Sequence, residues 1–108
     1  MQSAKIAFLC GLAMVAGATA AAAAEGDAAK GGELAREICV RCHHVEPGGP
    51  FKLHPPSFAA IAVYRTDVQV YGRIMFPPLH SGMPQLGYRL TPDNVDHIVA
   101  YIRSLEAR

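Results

Sequence analysis

The stretch Cys39-Val40-Arg41-Cys42-His43 decides how this chain is read. It is a C-x-x-C-H pattern, the attachment signature of c-type haem. The spacing has a chemical reason. Two thiols about one helical turn apart can each add across one vinyl group of a porphyrin, and the next residue, His43, is then held beneath the iron where its imidazole ligates it. Three other chemistries use two cysteines at this spacing. A redox C-x-x-C belongs after a strand in a βαβ unit, and no alternating strand pattern of any length occurs here. Half of a zinc site needs a second ligand pair at finger-like spacing, which His43-His44 is not. A disulfide across two intervening residues closes too small a loop to hold a domain together. The expected cofactor is one covalent haem c per subunit, attached at Cys39 and Cys42, with His43 as an axial iron ligand.

Upstream of the motif the chain reads as an export leader. Lys5 supplies a positive start, Ile6 to Val15 an apolar run, and Ala22-Ala23-Ala24 a small-residue cleavage site. The expected division is a cleaved signal peptide at 1–24 and a mono-haem domain at 25–108, with the periplasm as destination. A retained membrane anchor is the rival reading, because the uncharged run from Ile6 to Ala24 approaches the roughly 20 residues that span a bilayer. Its second half is almost all alanine, which favours cleavage and leaves no span in the mature chain. No arginine pair precedes the apolar run, so export unfolded is the simpler route. Cys10 falls inside the leader and is given no role.

The whole chain of 108 residues carries ten basic and nine acidic side chains, and loss of Lys5 balances them. That balance gives no electrostatic case for nucleic acid or an anionic membrane surface as partner. A mature domain this small needs a staple beyond its own core.

Glu33 to Val40 places Leu34, Ala35 and Ile38 at helical spacing, so a helix runs into the cysteines. Gly26 to Gly32 reads as a small, polar lead-in. Between Val45 and Pro56, four prolines and two glycines rule out regular structure, and a long loop is expected. Ser57 can cap a short helix through Phe58 to Val63, and Thr66 with Asp67 a second that ends before Pro77 and Pro78. Thr91 as cap, Pro92 at the first turn and an apolar face of Val95, Ile98, Val99, Ile102 and Leu105 mark the clearest helix. The fold class is all-α.

From the residues alone the second axial ligand stays open among Met75, Met83, His44, His54, His80 and His97. At this point the chain resembles the class I cytochrome c family, the small mono-haem c-type cytochromes. The residues that carry the likeness are Gly31 eight positions before Cys39, Met83-Pro84 in an irregular segment after a helix, and a last helix ending Ala100-Tyr101-Ile102-Arg103-Ser104-Leu105. The resemblance implies three to five short helices around one haem, with the first and last crossing where Gly31 meets Ile98 and Tyr101. It assigns the sixth iron position to Met83, and to the Pro56 carbonyl a hydrogen bond from the other ring nitrogen of His43. Ala35 departs from the family, which usually has an aromatic residue there.

The resemblance also implies a function. An iron with both axial positions filled by side chains has no open site for substrate, so one-electron exchange is the chemistry left to it. An electron carrier rather than an enzyme is expected. Its partners would be redox proteins: a dehydrogenase, a cytochrome complex, or a terminal oxidase or reductase. The alternatives are a dedicated cytochrome subunit of one dehydrogenase and, in another class, a haem-based sensor or peroxidase with a displaceable sixth ligand. Ile38, Phe58, Ile61, Ile74, Leu86 and Ile98 are expected to line the core, and Lys30, Arg36 and Arg41 form a local basic cluster.

Overall fold

Asp27 starts the first helix. Its carboxylate accepts the backbone N–H groups of Ala29 at 2.9 Å and Lys30 at 3.1 Å, which satisfies two donors that a helix start leaves unpaired. The computed structural model describes residues 26–106, so the leader expected at 1–24 lies outside the described residues. Four α-helices follow in order: α1 (Ala28–Ile38), α2 (Phe58–Tyr64), α3 (Asp67–Met75) and α4 (Pro92–Ser104). A short 3-10 turn, Cys39–Arg41, continues α1 into the motif. Among the described residues there is no strand, only an isolated bridge between Leu53 and Pro56. No helix among them is long and apolar enough to cross a membrane.

α1 begins five residues earlier than the expected Glu33. The lead-in containing Gly31 and Gly32 is helical because the Asp27 cap and the packing of α4 outweigh the weak helix propensity of glycine. α2 is capped by Ser57, as expected. α3 and α4 each open on a reciprocal capping box, Thr66 with Gln69 and Thr91 with Asn94, and Pro92 fills the first turn of α4.

The core forms where α1 crosses α4. A side chain on Gly31 would sit 1.8 Å from the His97 carbonyl oxygen and 2.8 Å from the Tyr101 Cβ, so only glycine admits the crossing at this distance. Gly26 is pressed on Asp96 in the same way, with 2.1 Å to its carbonyl oxygen. Ala35, Val95 and Ile98 are fully buried, so the small residue at position 35 leaves the crossing closed. Phe58 and Tyr101 form the aromatic part of the same core, with ring centroids 6.2 Å apart. Of the expected core residues Phe58, Ile74, Leu86 and Ile98 are buried, while Ile38 and Ile61 pack half-buried against them.

Arg103, near the end of α4, ties down the turn between α2 and α3. Its guanidinium donates to the carbonyl of Ala62 at 2.8 Å, to the carbonyl of Arg65, and to the carboxylates of Asp67 and Glu106.

Candidate functional site

The motif folds as a tight turn off the end of α1. The backbone N–H groups of Cys42 and His43 both donate to the Cys39 carbonyl, at 3.2 and 2.9 Å. Cys39 is half-buried and Cys42 exposed, and the two thiols are not joined. Burial pushes the Cys39 thiol up from 9.0 to about 11, so it is neutral at physiological pH. That is the opposite of the depressed pKa that makes a redox C-x-x-C reactive. Among the described residues no three His, Cys, Asp or Glu side chains gather as a metal-ion cluster.

His43 is half-buried, and its Nδ1 lies 2.6 Å from the Pro56 carbonyl oxygen. A carbonyl only accepts, so Nδ1 carries the proton and donates, and Nε2 is left with a lone pair for a metal. The ring also packs against Phe58, with centroids 5.8 Å apart. The returning chain is held to the motif by the Phe58 N–H, which donates to the His44 carbonyl at 2.9 Å. One residue further on, the buried Tyr101 hydroxyl donates to the Val45 carbonyl at 2.8 Å. Sequence reading placed Tyr101 only at the helix crossing. Its hold on the loop spans 56 positions, which no spacing pattern reports.

Of the basic cluster, Arg36 is engaged within the fold. Arg36 forms a two-pronged bond to Glu46, at 2.5 and 3.1 Å, and its guanidinium lies 5.7 Å from the Tyr101 ring centre. The rest of the ligand candidates differ in setting. Met75 ends α3 and packs half-buried against the core, and Met83 does the same from the irregular segment after α3. That segment is tied by the Gln85 amide donating to the Pro77 carbonyl at 3.1 Å. His54 and His80 are exposed, and His80 adopts a left-handed backbone with φ of 64°. His44 is half-buried beneath Gly49, and its Nδ1 is buried with no hydrogen-bond partner. His97 is half-buried and accepts the Asp27 N–H on Nδ1 at 2.8 Å, which fastens α4 to the start of α1.

This donor set fits a haem held by two thioethers: two unpaired cysteines at motif spacing, an imidazole with its outer nitrogen proton-bearing and the inner one available, and the Phe58 ring packed on that imidazole. Motif and all-α fold together define a covalent-haem protein. The chain belongs to the cytochrome c family, which matches residues 28–106 and whose members bind haem c covalently. It is similar to cytochrome c2 of Pararhodospirillum photometricum, 33% identical over 63 residues, or 58% of this chain and 53% of the relative. The match therefore spans about half the length of that curated relative. No solved structure matches the chain significantly.

Proposed function

We propose that this chain is an exported one-electron carrier of the periplasm, with haem c joined to Cys39 and Cys42 and its iron held between His43 and Met83. The division into a leader at 1–24 and a haem domain at 25–108 belongs to the same reading. The observation that carries it is the 2.6 Å contact from His43 Nδ1 to the Pro56 carbonyl, which is the arrangement a metal-bound imidazole requires of its outer nitrogen. When bound, the haem supplies the exchange of one electron at iron. His43 would hold the group through Nε2, and the Pro56 carbonyl keeps its ring in one tautomer. Met83, half-buried and flanked by Gly82 and Pro84, offers a soft thioether that favours the ferrous state. Phe58, packed on the imidazole, supplies an apolar wall beside it. With His43 and Met83 both holding the haem, the side chains would leave no place for a substrate, and turnover would reduce to contact with redox partner proteins.

Phe76, Leu79 and Tyr88 are more than three-quarters exposed in the segment that carries Met83. Apolar exposure in that segment favours, as second reading, a dedicated subunit bound to one dehydrogenase. The test of the site is a visible and near-infrared spectrum of the exported holoprotein and of Met83→Ala. A weak sulfur-to-iron charge-transfer band, present in the wild type and absent from the variant, is the expected result. A wild type that lacks the band, or a reduced protein that takes up carbon monoxide readily, would refute the carrier reading in favour of a sensor or peroxidase.

A further inference from the structure

We infer that Ser57 is a positioning residue for the iron site: it fixes the Pro56 carbonyl against His43 and thereby sets the reduction potential. The inference rests on the reading of His43 as ligand. Ser57 has an ordinary task as cap of α2, its Oγ accepting the Ala60 N–H at 3.3 Å. A cap needs neither deep burial nor further partners. Yet Ser57 is 1% exposed, a fully buried polar side chain, and the same Oγ reaches back across the loop to Lys52. It accepts the Lys52 N–H at 3.2 Å and lies 3.5 Å from the Lys52 carbonyl oxygen.

The geometry of one peptide unit gives these contacts their consequence. The carbonyl that accepts from His43 and the N–H of Ser57 belong to the same planar group. That N–H donates to the Lys52 carbonyl at 2.9 Å. Because the group is planar, the direction of the N–H bond dictates the direction of the carbonyl. Its donation to Lys52 also polarises the carbonyl and makes it a stronger acceptor for the imidazole. Ser57 Oγ holds the Lys52 end of this arrangement in place, and the Phe58 N–H to His44 carbonyl bond at 2.9 Å holds the other side. A firm bond from Nδ1 makes the imidazole a better electron donor and favours ferric iron. Loosening the Lys52 end weakens that bond and raises the potential.

The experiment compares the holoprotein with Ser57→Gly, Ser57→Ala and Ser57→Thr. Glycine is tolerated as a helix cap, so Ser57→Gly removes the hydroxyl while retaining a folded chain even if the alanine variant is lost. The readouts are the reduction potential and the exchange rate of the His43 Nδ1 proton by NMR. In the glycine and alanine variants the potential is expected to shift upward and the proton to exchange about tenfold faster, the factor that one weakened hydrogen bond supplies. Ser57→Thr, which keeps the hydroxyl, is expected to retain both wild-type values. If glycine and alanine lower the melting temperature but leave potential and exchange unchanged, Ser57 is a cap only and the inference fails. It fails equally if folded Ser57→Thr shifts as far as alanine. In the ferric wild type the ring signals of His43 should lie far outside the diamagnetic range. If they do not, the ligand assignment itself is wrong and the inference falls with it.

Discussion

Replacing Gly31 by alanine tests the helix crossing on which the fold depends. The added Cβ would stand 1.8 Å from the His97 carbonyl oxygen, 2.5 Å from its carbon and 2.8 Å from the Tyr101 Cβ. Carbon and carbonyl oxygen approach no closer than about 3.3 Å in ordinary packing, so the two backbones must separate by roughly 1.5 Å. Neither obstacle is a flexible side-chain end that can swing aside. The same separation would open the contacts of Ala35, Val95, Ile98 and Ile102, all at most 1% exposed. A gap of about 0.5–1 Å already forfeits a quarter to a half of a contact's attraction. Overpacking of this kind costs about 1–3 kcal/mol, and here the upper end applies. Alanine returns up to about 1 kcal/mol of helix propensity, which leaves a net loss near 2 kcal/mol. In a domain of this size that lowers the melting temperature by about 8–16 °C. Gly32→Ala is the control, since its Cβ meets only the tip of Arg36 at 3.1 Å and the Tyr101 ring edge at 3.2 Å. Both can yield by a few tenths of an ångström, and the propensity gain offsets the strain. Thermal unfolding of the holoproteins, followed by far-ultraviolet circular dichroism, distinguishes the two. Should Gly31→Ala melt within about 3 °C of wild type, the close crossing is not what holds these helices together.

Tyr101→Phe leaves the Val45 carbonyl without its donor and is expected to destabilise the protein by about 1–3 kcal/mol in urea unfolding; an unchanged midpoint would show that the loop does not depend on this bond. Arg103→Lys cannot reproduce a fork that reaches two carbonyls and two carboxylates, and a loss of about 1–2 kcal/mol is expected. Most of that loss comes from the carbonyls of Ala62 and Arg65, so it should persist in high salt, which weakens exposed ion pairs. The N–H bonds from Lys30 and then Ala29 hold the Asp27 carboxyl below its usual 3.8. A depressed carboxyl contributes stability that is present above the usual value and lost as pH falls through the folded one. Asp27→Asn keeps an acceptor but does not titrate, so acid unfolding of the variant should be flatter than wild type below about pH 4. Parallel acid limbs would refute that account.

The all-α class and the starts of α2, α3 and α4 were legible because each depends on neighbours in sequence. Ser57, Thr66 and Thr91 cap donors only a few residues away, and the apolar face of α4 repeats along one helix. The start of α1 was not legible. Gly31 and Gly32 argue against a helix locally, and what overrides them is the backbone of α4, some 65 positions onward. His97 shows the same limit from the other side: a polar residue on a helix looks solvent-bound until the fold brings the Asp27 N–H to its ring. At the site, the motif was readable as chemistry, because thiol spacing and an adjacent imidazole are local facts. The pairing of Tyr101 with Val45 and the closing of the loop onto Lys52 depend on how that loop folds back, and composition says only that it is irregular.

The two proposed ligands are supported to different degrees, which bears on how the site would give way. His43 sits in a turn closed by two bonds to the Cys39 carbonyl, its ring is held by Pro56 and packed on Phe58, and the returning loop is pinned at His44, Val45 and Lys52. Those contacts draw on α1, α2 and α4 at once, so displacing the imidazole requires the core to open. Met83 packs half-buried against the core, but the hydrogen bonds of its segment are local: Gln85 to Pro77, Ser81 to Pro78, and Arg89 and Leu90 to Leu86. The segment can part from the core, at the cost of the burial of Leu86 and Leu90, while the helix crossing stays closed. The imidazole proposed as ligand is thus hydrogen-bonded into the fold as a whole, and the thioether proposed opposite it rests on packing and on bonds within its own loop. Under rising denaturant the physics places loss of the thioether before loss of the imidazole, with the helices still formed between the two events.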